Sequence, residues 1–182
     1  MNLPQLTEHP TDGLHGMWRD VIRDATGRVL ARQEVRSNAI VTDCRRALAV
    51  FVAGKGGPGI EGLWFGRGDP NWDVAGTPPA TAAQVALVDP NPFFLAAAAI
   101  KIDYVDDLGT VVAAPTRKVQ IVANLPPGSP PWPDANHPAL ALREFGLASH
   151  LGAAPVLLNY VTHPVINKDV ASSLERTIWL VF

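Results

Sequence analysis

The segment "IKIDYVDDLGTVVAA" (residues 100–114) decides the fold class. Ile100, Ile102 and Tyr104 alternate with Lys101 and Asp103, the period-2 pattern of a half-buried strand. Asp106-Asp107-Leu108-Gly109 then supplies the turn, with Gly109 free to take the left-handed backbone that other side chains resist. The same grammar occurs earlier, where "GMWRDVIRD" (16–24) and "GRVLARQEV" (27–35) flank the turn Asp24-Ala25-Thr26-Gly27. Two hairpins built alike predict an antiparallel sheet.

Outward from these hairpins, further strands are expected in "IEGLWFG" (60–66), "LALREFGLAS" (140–149), "APVLLNYVTHP" (154–164) and "SLERTIWLVF" (173–182). In the last, Leu174, Ile178, Leu180 and Phe182 share one face. One principal helix is predicted in "SNAIVTDCRRALAVFVAGKGG" (37–57), where Ile40, Cys44, Ala47, Leu48 and Phe51 fall on one helical face. Ser37, Asn38 and Thr42 are its candidate N-caps, and Gly54 is its stop. A shorter helix is expected from Thr81 to the Pro90 break. The 17 Pro and 15 Gly cluster at 54–59, 76–80, 89–92 and 126–138, which breaks the chain into short elements and long loops. The expected fold is mainly β (α+β): an antiparallel β-sandwich or barrel-like sheet with one principal helix and long Pro-rich loops. An N-terminal extension over 1–13 precedes a single β-rich domain over 14–182.

Composition narrows the function classes. With 47% hydrophobic and 18% charged residues among 182, the chain reads as globular and large enough to bury a core. A net charge of −2 with scattered basic residues argues against a nucleic-acid partner. Cys44 has no partner for a disulfide within the chain. The apolar runs at 47–53 and 93–100 fall far short of the ~20 residues that span a bilayer, and the N-terminal residues lack the pattern of a signal peptide. The expectation is a soluble chain, made in the cytosol, with no membrane partner.

Arg67-Gly68-Asp69 is the tripeptide through which many extracellular proteins engage integrins, yet here it sits at the end of an expected strand. Asp69, Asn71 and Asp73 match the first three ligand positions of a calcium loop, but Val74 stands where that loop needs Gly and Ala80 where it needs Glu. His9, His15, His137, His150 and His163 show no metal-ligand spacing, and Cys44 lies on an apolar helix face. Ser149 and His150 are chain neighbours, the wrong geometry for a relay, and "GKGGPG" follows a helix where a phosphate loop precedes one. Glu144 and Glu175 are a carboxylate pair that nothing in the sequence brings together. No catalytic, cofactor-binding or metal-binding residue is assigned, no cofactor is implied, and the reading is not an enzyme. Trp72 and Trp132 lie in expected loops, where they either pack on their own domain or dock on a partner.

Several blocks together resemble a family of small structural proteins of phage tails and phage-like contractile particles. "SNAIVTDCRRALAVFVAG" is similar to its opening N-x-I-V-x-x-x-R-x-x-L block, and "IEGLWFGRGDPNWD" to a strand ending in a G-x-G turn. "TPPATAAQVALVDP" resembles the Pro-rich stretch and short helix that follow, and "LREFGL" (142–147) matches an R-E-F-G-L signature. "LLNYVTHPVINKDVASSLERTIWLVF" resembles the closing strand pair. The similarity covers residues 37–182 in order; the hairpin at 14–36 lies outside it, and "FFLAAAAIKIDYVD" is more apolar than the family's strand there. It implies a component of a tail fibre, collar or baseplate, in a symmetric homo-oligomer that meets other tail, baseplate or fibre proteins within a virion or phage-like particle made in the bacterial cytoplasm. A fibre module that binds a receptor or glycan is the alternative. The resemblance carries over no catalytic residue.

Overall fold

In the computed structural model, residues 13–57 and 59–182 are described. Nearly all of the N-terminal extension expected over 1–13, with His9, lies outside them, as does Pro58 of the glycine-rich stretch. Twelve strands follow in chain order: β1 (His15–Arg23), β2 (Val29–Arg32), β3 (Arg36–Ile40), β4 (Gly62–Gly66), β5 (Phe93–Ala96), β6 (Ile100–Val105), β7 (Val111–Val112), β8 (Lys118–Leu125), β9 (Ala141–Leu151), β10 (Ala154–Leu157), β11 (Asn159–Asn167) and β12 (Ser173–Val181). They pair antiparallel in the order β5-β4-β9-β11-β3-β1-β12-β8-β6-β7, with β10 beside β9 and β2 beside β1. The antiparallel pairing is what the hairpin grammar predicts, and the sheet curls into a half-barrel, within the expected mainly β class.

The curl has a simple covalent cause. β5 begins the strand order and β6 stands near its other end, yet only Ala97–Ala99, a single 3₁₀ turn, separates them in the chain. Three residues reach on the order of 10 Å, so the two ends of the sheet must meet at this corner. Inside the curl, Trp18, Ile121, Leu174 and Ile178 from one half pack against Leu63, Phe65, Phe145 and Leu147 from the other. Trp18 and Phe145 meet edge-to-face with ring centroids 5.3 Å apart.

The principal helix, α1, runs over Thr42–Val52 and is shorter than its sequence signals predict. Ser37 and Asn38 do not cap it, because β3 takes them into register with Met17 and Gly16. Thr42 turns its amide and hydroxyl to the Ala82 carbonyl, and the N-cap position falls to Val41. The predicted stop holds: Gly54 has φ 67°, its amide bonds the Phe51 carbonyl, and Lys55 N–H returns to Val50. Cys44 is the buried residue of α1, with Ala47 and Leu48 packed on the core, whereas Ile40 belongs to β3 and Phe51 is 70% exposed.

The second helix expected from Thr81 does not form. Glu144 of β9 captures the amides of Val88 and Asp89, which a helix would have needed for its own ladder. A short helix instead occupies Trp72–Ala75 (α2). Two expected faces also open at their ends: Ile102 and Tyr104 are 45% and 39% exposed, and Phe182 lies beyond the cover of the core.

Candidate functional site

The polar side chains buried behind the loops are organised by β9. Arg143 grips Asp73 with two parallel hydrogen bonds, Nε to Oδ1 at 2.8 Å and Nη2 to Oδ2 at 2.6 Å, while its Nη1 donates to the Arg67 carbonyl at 3.0 Å. The paired guanidinium holds the Asp73 carboxyl below its ordinary value. One residue on, Glu144 accepts from the amides of Val88 (2.9 Å) and Asp89 (2.7 Å) and from the Tyr160 hydroxyl (2.6 Å). Burial raises the Glu144 carboxyl despite these donors, and the neighbouring Asp89 charge adds to the rise. Burial also raises the Tyr160 hydroxyl, helped by its bond to Glu144.

Asp89 continues the network. It accepts from the amides of Arg67 (2.8 Å) and Asn91 (2.9 Å) and lies 3.0 Å from Nε2 of His137. The other ring nitrogen of His137 lies 2.8 Å from Asp134, and the ring stacks on Trp132 at 3.8 Å. Two long loops, 67–92 and 126–138, are thereby tied to each other and to β9.

The glycines of the corner serve space as well as angle. Gly68 has φ 58°, and a Cβ there would lie 2.6 Å from the Trp72 ring. Gly66 has no left-handed backbone; a Cβ on it would lie 2.6 Å from Glu144 Oε1. Of the two, Gly68 serves by angle and space and Gly66 by space alone.

A second polar cluster crosses the core. Arg176 on β12 meets Asp20 on β1, with Nε donating to Oδ1 at 2.7 Å, and its Nη2 lies 3.2 Å from His163 Nε2. The guanidinium sits 3.7 Å from the Phe145 ring centre and also faces Trp18 and Phe65. His163 holds its Nδ1 2.8 Å from the Pro164 carbonyl, so the ring donates there and accepts from Arg176. Burial, reinforced by the Arg176 charge, lowers the His163 ring well below its ordinary value and keeps it neutral.

The residues singled out in the sequence are dispersed among these ties. Asp69 accepts the Asn71 amide at 2.9 Å, a local turn, while Asp73 is turned to Arg143, so the three calcium-loop candidates do not converge. Among the described residues, no group of three or more His, Cys, Asp or Glu is placed to hold a metal ion. His150 bonds Glu61 rather than Ser149, and His15 bonds the Gly13 carbonyl. Glu175 lies on β12 opposite Val21 and Asn124, four strands from Glu144. Burial raises the Cys44 thiol to about 11, the state of a core thiol. Trp132 is 5% exposed and Trp72 half-buried, so at Trp132 packing on the home domain replaces the docking alternative.

Sequence reasoning missed Asp20, Asp89 and the Asp134–His137 pair. For Asp20 a signal existed: Trp18-x-Asp20-x-Ile22 and Leu174-x-Arg176-x-Ile178 each place one charge on an inward face. Asp89 and His137 stand 48 residues apart, beyond any local pattern, whereas Asp134 and His137 are an i,i+3 pair that the spacing already offered.

The chain matches no protein-family model, and searches of curated proteins and of solved structures found no similar protein. Among the described residues, no helix is long and apolar enough to cross a membrane.

Proposed function

We propose that this chain is a structural and assembly component of a phage tail or phage-derived injection particle, bridging neighbouring subunits of a tail fibre, collar or baseplate. The observation that carries this reading is the use of buried carboxylates to fix loop shape. Glu144 and Asp89 together accept four backbone amides from loop 67–92, and these acceptors are thereby committed to structure. A loop pre-shaped in this way meets a neighbour with little ordering cost. The resemblance over residues 37–182 supplies the kind of particle. The alternative, a glycan-binding module, would need exposed aromatics such as Trp72 and Trp132 to stack on sugar faces, and Trp132 is buried.

The test is to sediment particles from producing cells and identify their proteins by mass spectrometry, with chemical cross-linking to mark neighbours. Recovery of this chain in the particle fraction, cross-linked through residues of loops 67–92 or 126–138, is expected. Recovery only in the supernatant would overturn the reading.

A further inference from the structure

Among the described residues, the outer edge of β6 is unpaired along part of its length. β8 pairs one side of the strand from Ile100 to Tyr104, and β7 covers the other side only at Tyr104 and Val105. Among the described residues, Ile100–Asp103 therefore form a free edge between the Ala97–Ala99 corner and β7. By register with Ile121 and Val119, Ile102 and Tyr104 face the core side of the sheet, yet they remain 45% and 39% exposed. On the opposite face stand Lys101, whose side chain is 70% exposed, and Asp103, which meet in an ion pair at 2.8 Å within the strand, so a second copy would exchange this pair for two between chains.

A lysine on an edge strand ordinarily blocks strand addition. Here the block depends on register. In an antiparallel pairing of this edge with itself, a two-fold axis through residue 101 sets Lys101 against Lys101, and an axis through 103 sets Asp103 against Asp103. An axis through Ile102 sets Lys101 of each copy against Asp103 of the other on one face, and Ile102 against Ile102 on the other. Directly opposed charges of unlike sign, and apolar pairs, stabilise a sheet; like charges destabilise it.

We propose that β6 is a contact between two copies of this chain, paired antiparallel about a two-fold axis through Ile102. The ladder spans Lys101–Asp103 in each copy, because beyond it β7 already occupies the edge at Tyr104. So short a ladder gives a weak dimer, populated at high protein concentration and suited to the crowded neighbourhood of an assembly. The two-fold contact is isologous: the same patch serves both partners. It rests on the symmetric-particle reading for its purpose, while its existence is measurable on the purified chain alone.

Two measurements test it. Opposed residues in such a ladder have Cα atoms ~4.5–5.5 Å apart, within disulfide reach. Ile102→Cys in the full chain is therefore expected to form a disulfide-linked dimer under mild oxidation at least tenfold faster than Val74→Cys, a position 94% exposed, while native Cys44 stays buried. Sedimentation equilibrium of the unmodified chain should show concentration-dependent dimers. Lys101→Glu should weaken them at least tenfold, and the exchange Lys101→Asp with Asp103→Lys should restore them. Equal oxidation rates at the two cysteines, or a chain that stays monomeric to millimolar concentration, would overturn the contact. Neither outcome bears on particle sedimentation, so the two readings fail separately.

Discussion

Arg176 and Asp20 stand directly opposite each other in register on β12 and β1 and form a two-point ion pair inside the core. Both are essentially without solvent exposure. The aromatic rings of Trp18, Phe65 and Phe145 enclose the guanidinium. Removing one partner strands a buried charge. Asp20→Ala is expected to cost about 3–5 kcal/mol, whereas Asp20→Leu with Arg176→Met should cost less than the single change. Urea unfolding of the wild type and these variants measures both; a double variant as unstable as the sum of its singles would refute the pairing.

His163 gives the fold an acid-sensitive limb. Burial and Arg176 lower its folded-state value below the ordinary 6.5, so below that pH the unfolded chain binds a proton that the folded chain refuses. The contribution of the neutral ring is complete above 6.5 and is lost as the pH falls. Glu144 acts oppositely: its raised carboxyl takes up a proton in the folded state first, which favours folding as the pH falls toward 4.5. Comparing wild type with His163→Gln cancels the Glu144 effect. The stability difference should shift against the wild type by up to ~1.4 kcal/mol per pH unit below 6.5. A difference constant from pH 7.5 to 5 would contradict this.

Gly68→Ala is expected to destabilise by ~1–3 kcal/mol, since the residue needs φ 58° and its Cβ would press on Trp72. Asp73→Ala should act at the same place by freeing Arg143. Hydrogen exchange should then quicken across 67–75 in both variants while the β1–β12 ladder keeps its protection. Unchanged exchange in the loop would show that the clamp is not what shapes it.

The Arg67-Gly68-Asp69 tripeptide is expected to be a corner and not an adhesion signal. Gly68 is buried, the Arg67 amide is bound to Asp89, and Asp69 Oδ1 receives the Asn71 amide. Cells should adhere at background level to immobilised wild type and to Asp69→Glu alike. Adhesion that needs Asp69 and yields to a competing soluble peptide would reverse this.

Deleting residues 175–182 should leave an insoluble or unfolded chain. It removes Ile178 and Leu180, which are buried, along with Arg176 and most of the strand between β1 and β8. Each large apolar side chain is worth ~1.5–3 kcal/mol, and a whole domain only ~5–15 kcal/mol. A truncated chain with an unaltered circular-dichroism melt would show β12 to be dispensable.

What the sequence revealed followed the range of its signals. Hairpin turns at Gly27 and Gly109, with φ 85° and 80°, were legible because a turn is a four-residue event. β12 was legible from its alternation, and Arg176 could have been read as inward from the same alternation. The Thr81 helix misled because its propensity is local while its competitor, the Glu144 carboxylate, arrives from 55 residues away. The loop network was hidden for the same reason: a carboxylate's partner is chosen by the sheet, and the sheet order places β9 beside β4.

The β1–β12 pairing also sets a timetable. Asp20 and Arg176 are 156 positions apart, so at ~5–20 residues per second a ribosome needs roughly 8–30 s to make the second after the first. Through that interval Trp18 and Val21 have no β12 to cover them, and β8 emerges before the strand that joins it to β1. The long loop closure slows this step further. The newborn chain thus carries its central seam unsealed until β12 has been made, a window in which a holding chaperone, or an identical chain emerging on the same messenger, would find it open.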